Sequence, residues 1–185
     1  MTVGNGSDTV AVGDNSTVTL GGGQDTVTAG ANGTIIGGNG NDTVTTGTGS
    51  KITLGGGNDT VTPGSNSTVT LGNGNNTVFG AADDTITVGN GQNQLVAAPG
   101  DVWTVGNGQD VFTFNAGFGK NDITDFNTSR DVLQFNHALF VNYAAAMADT
   151  KQVGLDTVIT YDANDTVTLT GVAASHLTAS NFKFT

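Results

Sequence analysis

Two short runs of alternating residues recur along the first 119 residues of the chain. In one, the apolar positions Val10, Val27, Val44, Val61, Val78, Leu95 and Phe112 sit between polar or small neighbours, as in Thr26-Val27-Thr28. In the other, Val18, Ile35, Ile52, Val69, Ile86 and Trp103 do the same. A period of two puts the apolar residues on one face of a strand and the threonines on the opposite face. Val3, Leu20, Gly37, Leu54, Leu71, Val88 and Val105 form a further inward row, and within every row each member follows the last by 17 residues.

The segments between the runs keep the same period. GNGSD, GGGQD, GNGND, GGGND, GNGNN, GNGQN and GNGQD begin at Gly4, Gly21, Gly38, Gly55, Gly72, Gly89 and Gly106. Two strands and two turns per 17 residues make one coil of a flattened, right-handed parallel β-solenoid. The fold class is therefore all-β, with about seven 17-residue coils over residues 1–119. One coil cannot bury its own apolar face, so stability comes from stacking and the ends need caps.

Past residue 119 the period stops, and residues 120–185 read as a β-rich C-terminal cap with one helix. Leu139, Phe140, Tyr143 and Met147 predict that helix over 137–148, and the runs 156–161 and 166–169 alternate as strands around a turn at Ala163-Asn164. The inner rows gain Trp103, Phe112, Phe114 and Phe118 toward this cap. No N-terminal cap is legible, since Met1 leads straight into a repeat, and we expect an upstream domain in a longer parent chain.

Composition narrows the chemistry. The chain has 29 Gly and no Cys, which removes disulfides and thiolate metal sites. All 16 acidic residues are Asp, against 5 Lys and Arg, for a net charge of −11. That balance argues against nucleic acid or anionic lipid as a partner. No apolar run approaches the roughly 20 residues that span a bilayer, so no membrane insertion is expected. His137 and His176 are far apart, with no Glu or Cys beside them, and nothing points to a nucleophile–base pair; we expect no enzyme activity in this chain. Asp is short, favours turns and ligates hard cations.

Gly-x-Gly-x-Asp ahead of a strand turns carbonyl oxygens toward one point and adds a carboxylate there. Equivalent loops in stacked coils lie roughly 4.8 Å apart, so an ion between two loops meets oxygens from both. Six to eight oxygen ligands in flexible geometry suit Ca²⁺ better than Mg²⁺. Like charges stacked at that spacing repel by about 1 kcal/mol even in water, so the row Asp8, Asp25, Asp42, Asp59 is expected to need a cation.

Residues 37–45, GGNGNDTVT, fit the glycine-rich nonapeptide GGxGxDxUx, and LGGGQDTVT and LGGGNDTVT at 20–28 and 54–62 fit except for the first Gly. The chain thus resembles the RTX proteins. Its tail resembles that family's C-terminal segment in GFGKNDITDF (117–126), DVLQF (131–135), DTVITYDANDTVTLTGV (156–172) and LTASNFKFT (177–185). The resemblance implies a calcium-binding β-roll in a protein exported by the type I secretion machinery, hence secreted and extracellular. It carries metal-ligand roles onto Asp8, Asp25, Asp42, Asp59 and Asp110 and onto the carbonyls of Gly21, Gly23, Gly38, Gly40, Gly55 and Gly57.

The chain departs from the family pattern on its second edge. There the half-coils GDNSTVTL, GANGTIIG, GTGSKITL and GSNSTVTL have eight residues, and Ser16, Gly33, Ser50 and Ser67 stand where Asp is required. This edge is expected to be metal-free, held by stacked Asn and tight turns, until Asp84 and Asp101 restore the acid and offer a further ion site. On the first edge Asn76 and Asn93 interrupt the Asp row. Asp122 and Asp125 are candidates for one more ion in the tail. The outward Thr-x-Thr arrays, Thr26/Thr28 through Thr60/Thr62 and Thr17/Thr19 through Thr85/Thr87, suggest an alternative role in ice binding or surface adhesion.

Overall fold

The computed structural model describes residues 1–185 and is a parallel β-solenoid of about seven turns. One wall is a nine-stranded sheet of β1 (Thr9–Val12), β3 (Thr26–Ala29), β5 (Thr43–Thr46), β7 (Thr60–Thr62), β9 (Thr77–Phe79), β11 (Gln94–Val96), β13 (Val111–Phe114), β15 (Val132–Phe135) and β19 (Phe182–Phe184). The facing ten-stranded sheet runs β2 (Thr17–Thr19), β4 (Thr34–Ile36), β6 (Lys51–Leu54), β8 (Thr68–Leu71), β10 (Thr85–Val88), β12 (Val102–Thr104) and β14 (Lys120–Ile123), then β18 (Thr166–Leu169), β17 (Asp156–Thr160) and β16 (Thr150–Val153).

Strand pairing is parallel and in register with the repeat: Val10 lies beside Val27, Val27 beside Val44, Ile35 beside Ile52, Ile52 beside Val69, and Ile86 beside Trp103. A slip of one residue would turn every Val and Ile outward, so the buried face locks the register. The inward rows join one core of 34 buried residues running from Val10 to Phe182. Outward, Thr9, Thr26, Thr43, Thr60 and Thr77 line up across five strands. Ile36 and Phe79, each 45% exposed, break the neighbouring rows.

The turns of the second edge repeat a left-handed residue once per coil. Asn15, Asn32, Asn66 and Asp83 have φ between 56 and 64°, and Gly49 and Gly100 stand at 69 and 89° in the same place. Asn, Asp and Gly tolerate this conformation best, which explains the restricted choice there.

Residue 119 marks the end of the 17-residue period but not of the stack. β14 pairs parallel with β12, β15 with β13, β18 with β14 and β19 with β15. Asp122 lies beside Val102 and Leu133 beside Phe112, steps of 20 and 21 residues, which hides the continuation from a search for 17. Phe114, Phe118, Phe135, Phe140 and Phe182 pack ring on ring beneath these last strands, with centroids 5.0 to 6.3 Å apart. At the far side of the ten-stranded sheet, β17 and β16 join antiparallel. Asp162 closes the β17–β18 turn by accepting from the N–H groups of Asn164 and Asp165, where the turn was expected. The outermost strands, β16 and β19, carry the exposed Lys151 and Lys183.

The helix is shorter than the 137–148 the spacing predicts. It spans Tyr143–Ala148, capped by the Asn142 side chain, which accepts from the Ala145 N–H at 3.0 Å. The preceding residues form a turn in which the Leu139 N–H donates to the Asn136 carbonyl at 2.8 Å and Phe140 is buried. Two asparagines with local capping bonds outweigh the helical spacing of the apolar residues.

Ile52 is fully buried mid-stack between Ile35 and Val69. Ile52→Ala is expected to cost about 2–5 kcal/mol in urea unfolding, whereas Thr53→Ala, on the outer face, stays within about 0.5 kcal/mol.

Candidate metal centre

The first edge is built from the loops that carry the GxGxD segments. A Cβ on Gly40 would stand 1.6 Å from the Gly23 carbonyl oxygen, and one on Gly57 1.4 Å from that of Gly40. Likewise a Cβ on Gly38 would meet the Gly21 oxygen at 2.0 Å, and one on Gly55 the Gly38 oxygen at 2.3 Å. Each coil therefore aims glycine carbonyls along the stack into space that any other residue would fill. The φ of Gly23 and Gly57, 134 and 148°, is also closed to L side chains. The carbonyls of Gly40 and Gly57 accept no hydrogen bond, while Gly23 joins Gly40 in a lone parallel bridge.

Beside these carbonyls stands a column of buried side chains. Oδ1 of Asp25 accepts the N–H of Asp8 at 2.9 Å, Asp42 that of Asp25 at 3.0 Å, and Asp59 that of Asp42 at 3.0 Å. Asn76, Asn93, Asp110 and Asp131 continue the same bond, each taking the N–H of the residue one coil earlier. Asp25, Asp42, Asp59 and Asp110 are at most 2% exposed. The remaining oxygen, Oδ2, of Asp25, Asp59 and Asp110 is buried with no partner. No three acidic or histidine side chains converge at any point, so any ion on this edge would draw on backbone oxygens as well.

An outer ladder runs the other way. The side-chain oxygens of Asn5, Asn39, Asn41, Asn58, Asn73, Asn75 and Asn90 accept N–H groups from the coil that follows, at 2.7 to 3.0 Å. The edge is thus stitched in both directions.

The second edge has its own column. Gly33 donates to Ser50 Oγ, Ser50 to Ser67 Oγ, Ser67 to Asp84 Oδ1, Asp84 to Asp101 Oδ1 and Asp101 to Asn121 Oδ1. Serine hydroxyls and tight turns, rather than the expected stacked Asn side chains, join its early coils. Asp84 and Asp101 also accept from Ala81 and Ala98 through Oδ2, at 2.8 and 2.9 Å, so backbone N–H groups engage both oxygens of each. This differs in kind from the unpartnered oxygens of the first edge.

In the tail, Asp125 Oδ1 accepts the Val105 N–H, and its charge acts on Asp110. Asp122 Oδ1 instead accepts the Thr170 hydroxyl, on the outer face. Pattern reading names Asp131 only among the tail carboxylates and passes over Asn121; these residues close the two columns at intervals of 21 and 20 residues. Both stand just ahead of or within a stacked strand, as the Asp in DTVT does, and that local signature survives where the period fails.

Burial is the dominant electrostatic effect. It raises the pKa of Asp42, Asp84, Asp110 and Asp125, and pushes Asp59 and Asp131 up to about 6 and Asp101 to about 7. Repulsion from Asp25 on Asp42 and from Asp42 on Asp59 adds to this but is a smaller cause than desolvation. The expectation of a row destabilised chiefly by mutual repulsion is revised accordingly: the larger cost is removing each carboxylate from water.

No family model matches the chain, and no curated protein is similar to it. Among solved structures it is similar to the extracellular lipase LipA from Serratia marcescens, with a TM-score of 0.48 and 15% identity over 91% of this chain and 40% of that one. The chain spans less than half the length of that lipase.

An acid whose pKa is higher folded than unfolded holds its proton more tightly in the fold. Its contribution is complete below the unfolded value of about 3.9 and is lost as pH rises through the folded values, about 6 for Asp59 and Asp131 and about 7 for Asp101. In chelator-treated, metal-free buffer the chain is expected to lose stability from about pH 5 to about pH 8. Circular dichroism in chelator at stepped pH checks this, and a β signal that stays flat or rises with pH contradicts it.

Proposed function

We propose that this chain is a calcium-binding RTX-type β-roll module whose folding is driven by Ca²⁺ once the protein has left the cell. One observation carries the reading: the buried, unpartnered Oδ2 atoms of Asp25 and Asp59 stand in the glycine-rich loops of the first edge, where the Gly40 and Gly57 carbonyls accept nothing. A buried charged oxygen among acceptors lacks only a positive group. The donor set is all oxygen, with carboxylates from the column and carbonyls from Gly21, Gly23, Gly38, Gly40, Gly55 and Gly57, of which those of Gly38 and Gly55 also accept the N–H groups of Gly55 and Gly72. Flexible all-oxygen coordination favours Ca²⁺ over the stricter Mg²⁺ octahedron. We place the ions on the first edge, along Asp25, Asp42 and Asp59, with Asp8 beginning the row and Asp110, beside Asp125, offering a further position.

The energetics fit a folding switch. A site with a dissociation constant of about 0.1 mM, within the extracellular range, contributes about 1.4 kcal/mol at about 1 mM Ca²⁺. Four such sites contribute about 6 kcal/mol, comparable with the whole stability of a small domain. At cytosolic calcium levels that contribution is nearly absent. An unfolded chain inside the cell suits passage through the type I exporter that the resemblance implies, and folding outside completes the process. The same reading makes the module non-catalytic.

A second reading rests on the outer face. Thr9, Thr26, Thr43, Thr60 and Thr77 form an unbroken row across five paired strands, with Thr28, Thr45 and Thr62 beside it. Regular hydroxyl spacings of roughly 6.7 Å along and 4.8 Å between strands suit ice or a surface adhesin's target. Thr is also simply a good exposed strand residue, and the interruptions at Ile36, Lys51 and Phe79 weigh against it.

Calcium titration followed by circular dichroism is expected to show little β signal in chelator and a cooperative gain near millimolar Ca²⁺. Asp42→Ala moves that midpoint upward by removing both an ion ligand and the acceptor for the Asp25 N–H; an unmoved midpoint refutes the placement on this edge. Thermal hysteresis assays of the calcium-loaded protein decide the second reading, and we expect no activity above a buffer control.

A further inference from the structure

The first-edge column contains two chemically different residues doing one shared task. In Asp25, Asp42, Asp59, Asn76, Asn93 and Asp110 alike, Oδ1 accepts the N–H from the coil before, at 2.9 to 3.0 Å. The residues differ only in the second terminal atom. With Oδ1 committed to an N–H, the other atom of each Asn side chain must be the amide nitrogen, a donor. The Nδ2 of Asn76 donates to the carbonyls of Gly72 and Gly74, at 3.2 and 3.4 Å. The Nδ2 of Asn93 donates to the Gly89 carbonyl at 3.2 Å and to Asp110 Oδ1 at 2.8 Å. Gly72, Gly74 and Asn76 hold the same repeat places as Gly55, Gly57 and Asp59. Where Asn presents N–H to the glycine carbonyls, Asp59 presents a buried oxygen that has no partner.

From this we infer that the rungs of Asn76 and Asn93 are cation-free, their neutral side-chain amides supplying N–H donors in the place where the Asp rungs take a bound ion. The roll then has two kinds of coil. Those at Asp25 and Asp59 need a cation, with Asp42 between them at the same repeat place, and those at Asn76 and Asn93 are self-sufficient. It follows that exchanging Asp for Asn converts a rung from the first kind to the second. This inference rests on the calcium reading for the Asp rungs but makes a separate statement about the amides.

Three variants of the full chain test it: D25N/D42N/D59N, D25A/D42A/D59A, and the reverse pair N76D/N93D. Each is compared with the wild type for bound calcium per chain and for circular dichroism and melting temperature, with calcium and with EDTA. The Asn triple variant is expected to keep most of its β signal in EDTA, to bind fewer ions than the wild type, and to show a smaller calcium-induced rise in melting temperature. The Ala triple variant, lacking both the Oδ1 acceptor and the amide, loses the fold in EDTA. N76D/N93D binds more calcium and depends on it more steeply. The inference is overturned if the Asn triple variant unfolds in EDTA as readily as the wild type, or if N76D/N93D gains no ion. Should the wild type itself bind no calcium and ignore EDTA, it is the calcium reading that fails. The amide inference is then decided by whether the Asn triple variant melts above the wild type in EDTA, and no increase overturns it.

Discussion

Everything in this fold depends on one recurring bond: a side chain at the inner corner of each coil accepts the backbone N–H of the same position one coil earlier. A flattened solenoid cannot pair its corners by sheet hydrogen bonds alone, because the chain must turn away from the strand direction there. On the first edge Asp or Asn supplies the acceptor from Asp25 to Asp131, and on the second Ser, Asp and Asn supply it from Ser50 to Asn121. Hydrogen bonds to charged acceptors contribute about 1.5–3 kcal/mol each, and failing to make one leaves a buried N–H at similar cost. Each coil is thereby committed to its neighbour, which is what a one-dimensional stack needs to fold cooperatively.

The choice of a carboxylate for that task sets up a conflict that the charge row alone does not convey. A buried Asp satisfies its neighbour through one oxygen and leaves the other to find a partner of its own. At Asp84 and Asp101 a second backbone N–H, from Ala81 or Ala98, fills the need. At Asn76 the amide removes it by becoming a donor. At Asp25 and Asp59 neither device is present, and the second oxygen is left buried without a partner. The three solutions sit on one scaffold, so the chemistry of a rung is decided by one or two atoms while the backbone repeats unchanged.

Much of this was legible in the sequence. The 17-residue register, both sheets, the inward rows and the tight turns of the second edge follow from periodicity and residue preference, because every coil repeats the same local problem. What was not legible is where the Asp side chains point. Loop aspartates read as turn formers or as exposed ligands, and only the stack shows Asp25 and Asp59 pressed inward against the preceding coil. The continuation through Lys120–Ile123 and Val132–Phe135 was hidden because its steps are 20 and 21 residues, and pattern recognition depends on the step being constant. The helix was overextended for a local reason: Asn136 and Asn142 each engage nearby backbone, a preference that spacing does not reveal.

The two outermost strands at the cap have a consequence for association. A stack of parallel strands is a template that recruits any compatible chain onto its open rim, and a Thr- and Val-rich one is especially prone to do so. Here the ten-stranded wall reverses direction through β17 and β16, so an incoming parallel coil finds a mismatched pattern of donors and acceptors. Lys151 and Lys183 place an ammonium on the rim of each wall. Two such groups, in a protein with so few cations, put charge where a further strand would have to pair at that end.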